Sequence, residues 1–276
     1  LEIRYVSDPV RYARMTTEEL RQTFLLEGLF AEGELNLVYT DLDRAVVGGA
    51  TPLDRPMSLG SSEQFAADFF CQRRELGLIN IGGRGLVVVD REEYPLDRRE
   101  CLYIGRGSRV IEFASDDPDN PARFYLQSYP AHTEYPTTYA ALDHANTIFL
   151  GSGEDANQRT IYQYIHQGGI QSCQLVMGFT ELVRGSVWNT MPPHSHARRT
   201  EIYFYFDVPD GHQVLHLMGR PDETRSLWVP DRTAVISPRW SLHSGAGTAS
   251  YSFIWGMGGE NQAFDDMDGV AIDDLR

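Results

Sequence analysis

Short apolar runs rich in Val, Ile, Tyr and Phe, each closed by a turn cluster, pattern most of the chain. They fall at 77–96, 100–115, 202–219, 233–245 and 251–259, punctuated by GGRG, DPDNP, PDG and SGAG. Many short strands at this spacing predict an all-β sandwich or barrel, with few helices. One helix is expected near the N-terminus. Thr16 and Glu19 have capping-box spacing, and Leu20, Phe24 and Leu25 follow at helical intervals.

The two halves repeat loosely. In the first, Phe69 to Glu75 leads through strands to Gly105-Arg106-Gly107-Ser108; in the second, His194 to Glu201 leads to Pro238-Arg239-Trp240-Ser241. Both contain an Arg-Arg pair beside a Glu, and superposing Glu75 on Glu201 requires a gap at Thr200. The expected organisation is two diverged barrels, residues 1–150 and 151–276, joined within the polar, glycine-containing stretch 140–170.

Charge then narrows the partners. Thirty-nine acidic residues against 24 basic ones give a net charge of −15, which disfavours nucleic acid and anionic lipid. No run approaches the roughly 18 apolar residues of a spanning helix. The opening LEIRYVSDPVRYARM carries charge throughout, unlike a secretory leader. Cys71, Cys101 and Cys173 are odd in number and far apart, as expected of reduced thiols in a cytoplasmic protein.

Chemistry concentrates in the second half. On a strand, His194 and His196 would point to one face. Glu201 lies at odd parity from them, so a bend or bulge in Ala197–Thr200 must restore its direction. Tyr203 and Tyr205 share the face of Glu201, and His243 follows 42 positions after it. A His-X-His pair alone is commonplace; three imidazoles with a carboxylate form a nitrogen/oxygen set suited to Zn²⁺, Fe²⁺, Mn²⁺ or Ni²⁺. His132, His144, His166 and His212 read as surface residues, and His216, within VLHLMG, as either a core imidazole or a pocket residue.

This ligand spacing resembles that of the cupins. Trp188 and Val208 stand where the first cupin motif usually has glycine, Trp240 where the second does, and Gly247 where asparagine is frequent. In the first half Phe69, Cys71 and Val110 take the place of the three histidines and only Glu75 remains, which implies a metal-free barrel and one site per chain. RRELGLINIGG, MGRPDETR, VISPRWSLHSGAGT and FIWGMGGENQAFDDMD are similar to the 5-dehydro-4-deoxy-D-glucuronate isomerases, also called 4-deoxy-L-threo-5-hexosulose-uronate ketol-isomerases, from residue 18 to the C-terminus. The resemblance implies a cytoplasmic bicupin homohexamer of pectin and uronate degradation. It also implies one Zn²⁺ per subunit on His194, His196, Glu201 and His243.

The implied reaction is an aldose–ketose isomerisation giving 3-deoxy-D-glycero-2,5-hexodiulosonate, and it needs a base. Glu260, in the turn after the last strong strand, is one candidate. Tyr203 or Tyr205 would act as acid or hydrogen-bond donor, with one of the two expected to be ordinary barrel packing. Arg184, Arg199, Arg225 and Arg239 flank the motifs as candidates to pair with the anionic substrate, with His216 a further contact. The acidic tail reads either as solvated or as carrying Phe264 or Met267 into a subunit contact. Competing readings are a 5-deoxy-glucuronate isomerase, a non-haem iron cupin dioxygenase and a non-catalytic sugar-binding or storage bicupin; zinc, having no redox chemistry, would exclude the dioxygenase.

Overall fold

The computed structural model describes residues 1–276. Strands build two compact units, one from residues 1–4, 28–145 and 164–176, the other from residues 5–27, 146–163 and 177–276. In place of one joint at 150/151, the chain passes between the units several times. Residues 5–27 belong with the C-terminal half because of what their side chains bury. Thr16 caps the helix Thr17–Phe24 through a complete capping box, which turns Leu20 and Phe24 inward. Leu25–Leu26 then pairs antiparallel with Thr233–Ser237. The Tyr12 hydroxyl donates to the carbonyl of Met218 at 2.9 Å, and its ring meets Phe24 and Trp240 edge-on. Buried Tyr12, Leu20 and Phe24 hold the segment at about 1.5–3 kcal/mol each.

Each unit has two sheets. In the first, a seven-stranded sheet contains Leu35–Thr40, Val46–Ala50, Phe124–Pro130, Arg74–Asn80 and Cys101–Ile104, and a four-stranded sheet contains Ile111–Ser115 and Gly85–Val89. Leu76, Leu78, Val87, Phe113, Phe124 and Leu126 fill its apolar core. In the second, the larger sheet runs Asn146–Leu150, Arg159–Ile165, Val176–Leu182, Ser252–Gly259, Arg199–Phe206, Thr233–Ser237 and Leu25–Leu26. Its partner sheet runs Glu223–Val229, Val214–Arg220, Leu242–Gly247, Trp188–Ser195 and Asp268–Gly269. The expected all-β sandwich is present in both halves.

Register corrects the internal alignment. Glu201 pairs with Ser237, directly before the Pro238 turn, and with Met257. Counted from the equivalent Gly105 turn, the residue paired with Ile104 is Leu76, not Glu75. No gap is needed: Arg74 matches Arg199, Glu75 matches Thr200, and the glutamate position is apolar. Glu75 points to the opposite face. There it accepts the backbone N–H groups of Cys173, Gln174 and Leu175 at 2.7–2.9 Å and the Tyr103 hydroxyl at 2.9 Å. It is a buried anchor for a loop.

Candidate metal centre

The parity conflict between His196 and Glu201 is resolved by a corner. Strand Trp188–Ser195 ends, residues 196–198 turn with Arg199 N donating to His196 O at 3.1 Å, and the chain re-enters the other sheet as Arg199–Phe206. His194 and Glu201 therefore approach one point from facing sheets. His243 joins them because Leu242–Gly247 lies beside Trp188–Ser195, with His243 and His194 direct cross-strand partners.

The ligand atoms of His194, His196, Glu201 and His243 all lie within 4.8 Å of one another. Nε2 of His194 is 3.1 Å from Nε2 of both His196 and His243. Glu201 Oε2 lies 2.8 Å and 3.0 Å from Nε2 of His196 and His243. That oxygen is fully buried, yet it receives no properly directed hydrogen bond. A buried, unsatisfied carboxylate oxygen facing three imidazole nitrogens fits a cation as the missing partner.

Surrounding contacts orient the rings. His196 Nδ1 is 2.8 Å from the carbonyl of Asp266, which can only accept, so the proton sits on Nδ1 and the Nε2 lone pair faces the cluster. Arg199 donates to the same carbonyl at 2.9 Å and to Ala263 O at 2.6 Å. His243 Nδ1 shares a 2.9 Å hydrogen bond with the Ser237 hydroxyl. Burial pushes His194 down to about 2 and lowers His243, keeping both imidazoles neutral. Burial works to raise Glu201, but His243 and His196 outweigh it and hold the carboxyl well below its ordinary range. Neutral nitrogen donors with one anionic oxygen are what a divalent ion requires.

The cluster opens on a cavity of about 610 Å³, within the range of small-molecule sites. Apolar Ile161, Met191, Phe253, Trp255 and Met257 form much of its wall, and Thr180, Thr190, Arg159 and Tyr203 supply polar groups. Tyr203 is buried beside Glu201; burial first, then that carboxylate, raise its phenol well above the usual value. The acidic tail closes one side. Phe264, Met267, Gly269, Val270 and Ala271 line the cavity, and Asp268–Gly269 pairs with His194–Ser195. Arg198 grips Asp266 through Nε at 2.8 and 2.9 Å, and Asp268 at 3.0 Å. Phe264 and Met267 thus serve this wall.

Other expected site residues are not brought here. Glu260 is exposed, because the strand has already ended and its N–H donates outward to Arg198 O. Tyr205 and His216 share a 2.7 Å hydrogen bond deep in the sandwich and do not line the cavity. Arg225 is held by the carbonyls of Met15 and Ala13, at 2.9 and 3.1 Å. Arg184 and Arg239 are exposed and off the cavity, and Arg199 is buried as a support for His196. The cation that does line it, Arg159, was missed. It lies 35 residues before His194, outside the motif segments; its one available signal was alternation with Ile161 along a strand.

Comparison with known proteins agrees with this architecture. A family model described as KduI/IolB family matches residues 25–272. A 4-deoxy-L-threo-5-hexosulose-uronate ketol-isomerase of Halalkalibacterium halodurans is 52% identical over 276 residues, covering 100% of both chains. One of Caldicellulosiruptor bescii is 49% identical, again over 100% of both. Among solved structures, an IolB-like protein of Salmonella typhimurium superposes with a TM-score of 0.73 at 15% identity, covering 90% of this chain and 96% of that one. Tomato vicilin superposes at 0.55 and 9% identity, covering 80% and 75%. These likenesses show the fold, a bicupin of two tandem jelly-roll barrels.

Proposed function

The chain belongs to the KduI/IolB family and is a ketol-isomerase, and from that premise we propose that it converts 5-dehydro-4-deoxy-D-glucuronate into 3-deoxy-D-glycero-2,5-hexodiulosonate, with zinc held by His194, His196, Glu201 and His243. The observation that carries this reading is the convergence of those four donors, three of them on the wall of a cavity that also presents a phenol. The choice of substrate follows the name its relatives carry.

The reaction moves a carbonyl from C1 to C2. A proton leaves C2, its bonding pair forms the C1–C2 double bond, and the C1 oxygen gains a proton. Collapse of the enediol places a proton on C1, releases the one on the C2 oxygen, and leaves the carbonyl at C2. When bound, zinc supplies Lewis-acid stabilisation of the charge that develops on oxygen. The remaining tasks fall to the chain. Tyr203, held neutral, donates a hydrogen bond to the sugar oxygen that becomes negative. Glu201 is the one carboxylate on the cavity wall and is held anionic. Its Oε2 faces the imidazoles as a ligand, and the cavity wall carries no second carboxylate to take the C2 proton. Ile161, Phe253, Trp255 and Met257 keep water from intercepting that proton.

Proton NMR in D₂O of the protein with 5-dehydro-4-deoxyuronate tests this reading. The expected result is conversion to the hexodiulosonate, abolished by a chelator and restored by zinc. No conversion by zinc-replete protein would overturn it, and oxygen uptake with iron would be measured next.

A further inference from the structure

Resting on the reading of the site as a uronate isomerase, we propose that Arg159 is the residue that recognises the carboxylate of the substrate. All 24 basic residues of the chain are arginines, and Arg159 is the one among them that lines the cavity. It stands on strand Arg159–Ile165, where it and Ile161 share the face turned to the cavity. In the sheet, that strand is separated from Arg199–Phe206, which carries Glu201 and Tyr203, by Val176–Leu182 and Ser252–Gly259. Three strand spacings put the two backbones on the order of 14 Å apart, with both side chains reaching inward. The guanidinium and the imidazole cluster therefore bracket an extended space.

Arg159 is also free to bind. NH1 donates to the carbonyl of Asn157 at 2.9 Å, and no carboxylate of the chain pairs with the guanidinium. Its remaining N–H donors form the planar fork that a carboxylate accepts bidentately. Half-burial screens the charge less than a surface position would, and an arginine stays protonated there even though burial lowers its pKa. An open-chain uronate thus enters in one direction, acid group at Arg159 and aldehyde at the cluster beside Tyr203.

The test compares the uronate with its methyl ester, which keeps the reacting end and removes the charge. For wild-type protein, kcat/KM for the acid should exceed that for the ester by about ten- to a hundredfold, carried by KM. Arg159→Met should bring the ratio close to one, and Arg159→Lys should recover part of it, since the charge returns without the fork. Equal turnover of acid and ester by wild type overturns the assignment, and needs no variant to fold. So does an Arg159→Met protein that keeps the wild-type ratio. A wild type inactive on the acid overturns the isomerase reading itself, and the assignment with it.

Discussion

At the scale of single residues, burial decides which histidines matter. His194, His196 and His243 converge with Glu201, and His196→Ala should lose bound metal and activity together, read by metal analysis and the NMR assay on the same sample. His216 illustrates the opposite case. Fully buried, it is pushed down to about 3 from an ordinary 6.5, so the folded protein keeps it neutral while the unfolded chain binds a proton. Its contribution is intact above pH 6.5 and is lost as pH falls from there towards 3, with a slope of up to about 1.4 kcal/mol per pH unit. Urea unfolding of metal-free protein between pH 7 and about pH 4 should give a shallower loss for His216→Asn than for wild type. The convergence of His194, His196, Glu201 and His243 was legible in the sequence because a metal site would fix residue type and spacing together. Arg159 was not, because a lone arginine on a strand carries no such constraint; which of 24 faces a cavity is settled only by packing.

At the scale of elements, alternation and turn residues identified the strands, and the capping box identified the helix. Register was harder. Matching glutamates invited the alignment of Glu75 with Glu201, whereas the ladders, which pair Leu76 with Ile104 and Glu201 with Ser237, make Leu76 its equivalent and send Glu75 to the other face. A slip of one residue reverses every side chain on a strand, so identity of letter is a poor guide where parity disagrees. Glu75 is committed to three backbone N–H groups and a phenol, and Glu75→Ala would strand all four donors. The expected cost is about 3–5 kcal/mol by urea unfolding, with the metal content that wild type shows left unchanged. A loss of that metal at constant fold would mean that Glu75 serves the metal site after all. The spacing calls for a bend or bulge in Ala197–Thr200; the structure makes it a corner at residues 196–198 that changes sheet, and local sequence does not distinguish a corner from a bulge within one strand.

For the whole molecule, composition and site point the same way. On the proposed reading a chain of net charge −15 draws in an anionic sugar, which requires its positive potential to be confined, and a cavity with one guanidinium does so. Without lysine, the chain has no side-chain amine to form an imine with an aldehyde, so charge on oxygen must be met by other side chains. The division into units was only partly legible, since residues 5–27 reach the C-terminal half by long-range burial that no local pattern announces. The placement of Trp255 has a last consequence. Its indole lines the cavity, nearly shielded from water and hydrogen-bonded to Thr180, whereas Trp188 and Trp228 are 38% and 51% exposed. The molecule thus carries its own optical gauge: of its four indoles Trp255 alone stands on the wall that a ligand touches, so a ligand changes that ring's light and leaves unchanged the light of Trp240, half-buried against Tyr12 and Phe24, and of the two solvent-facing rings.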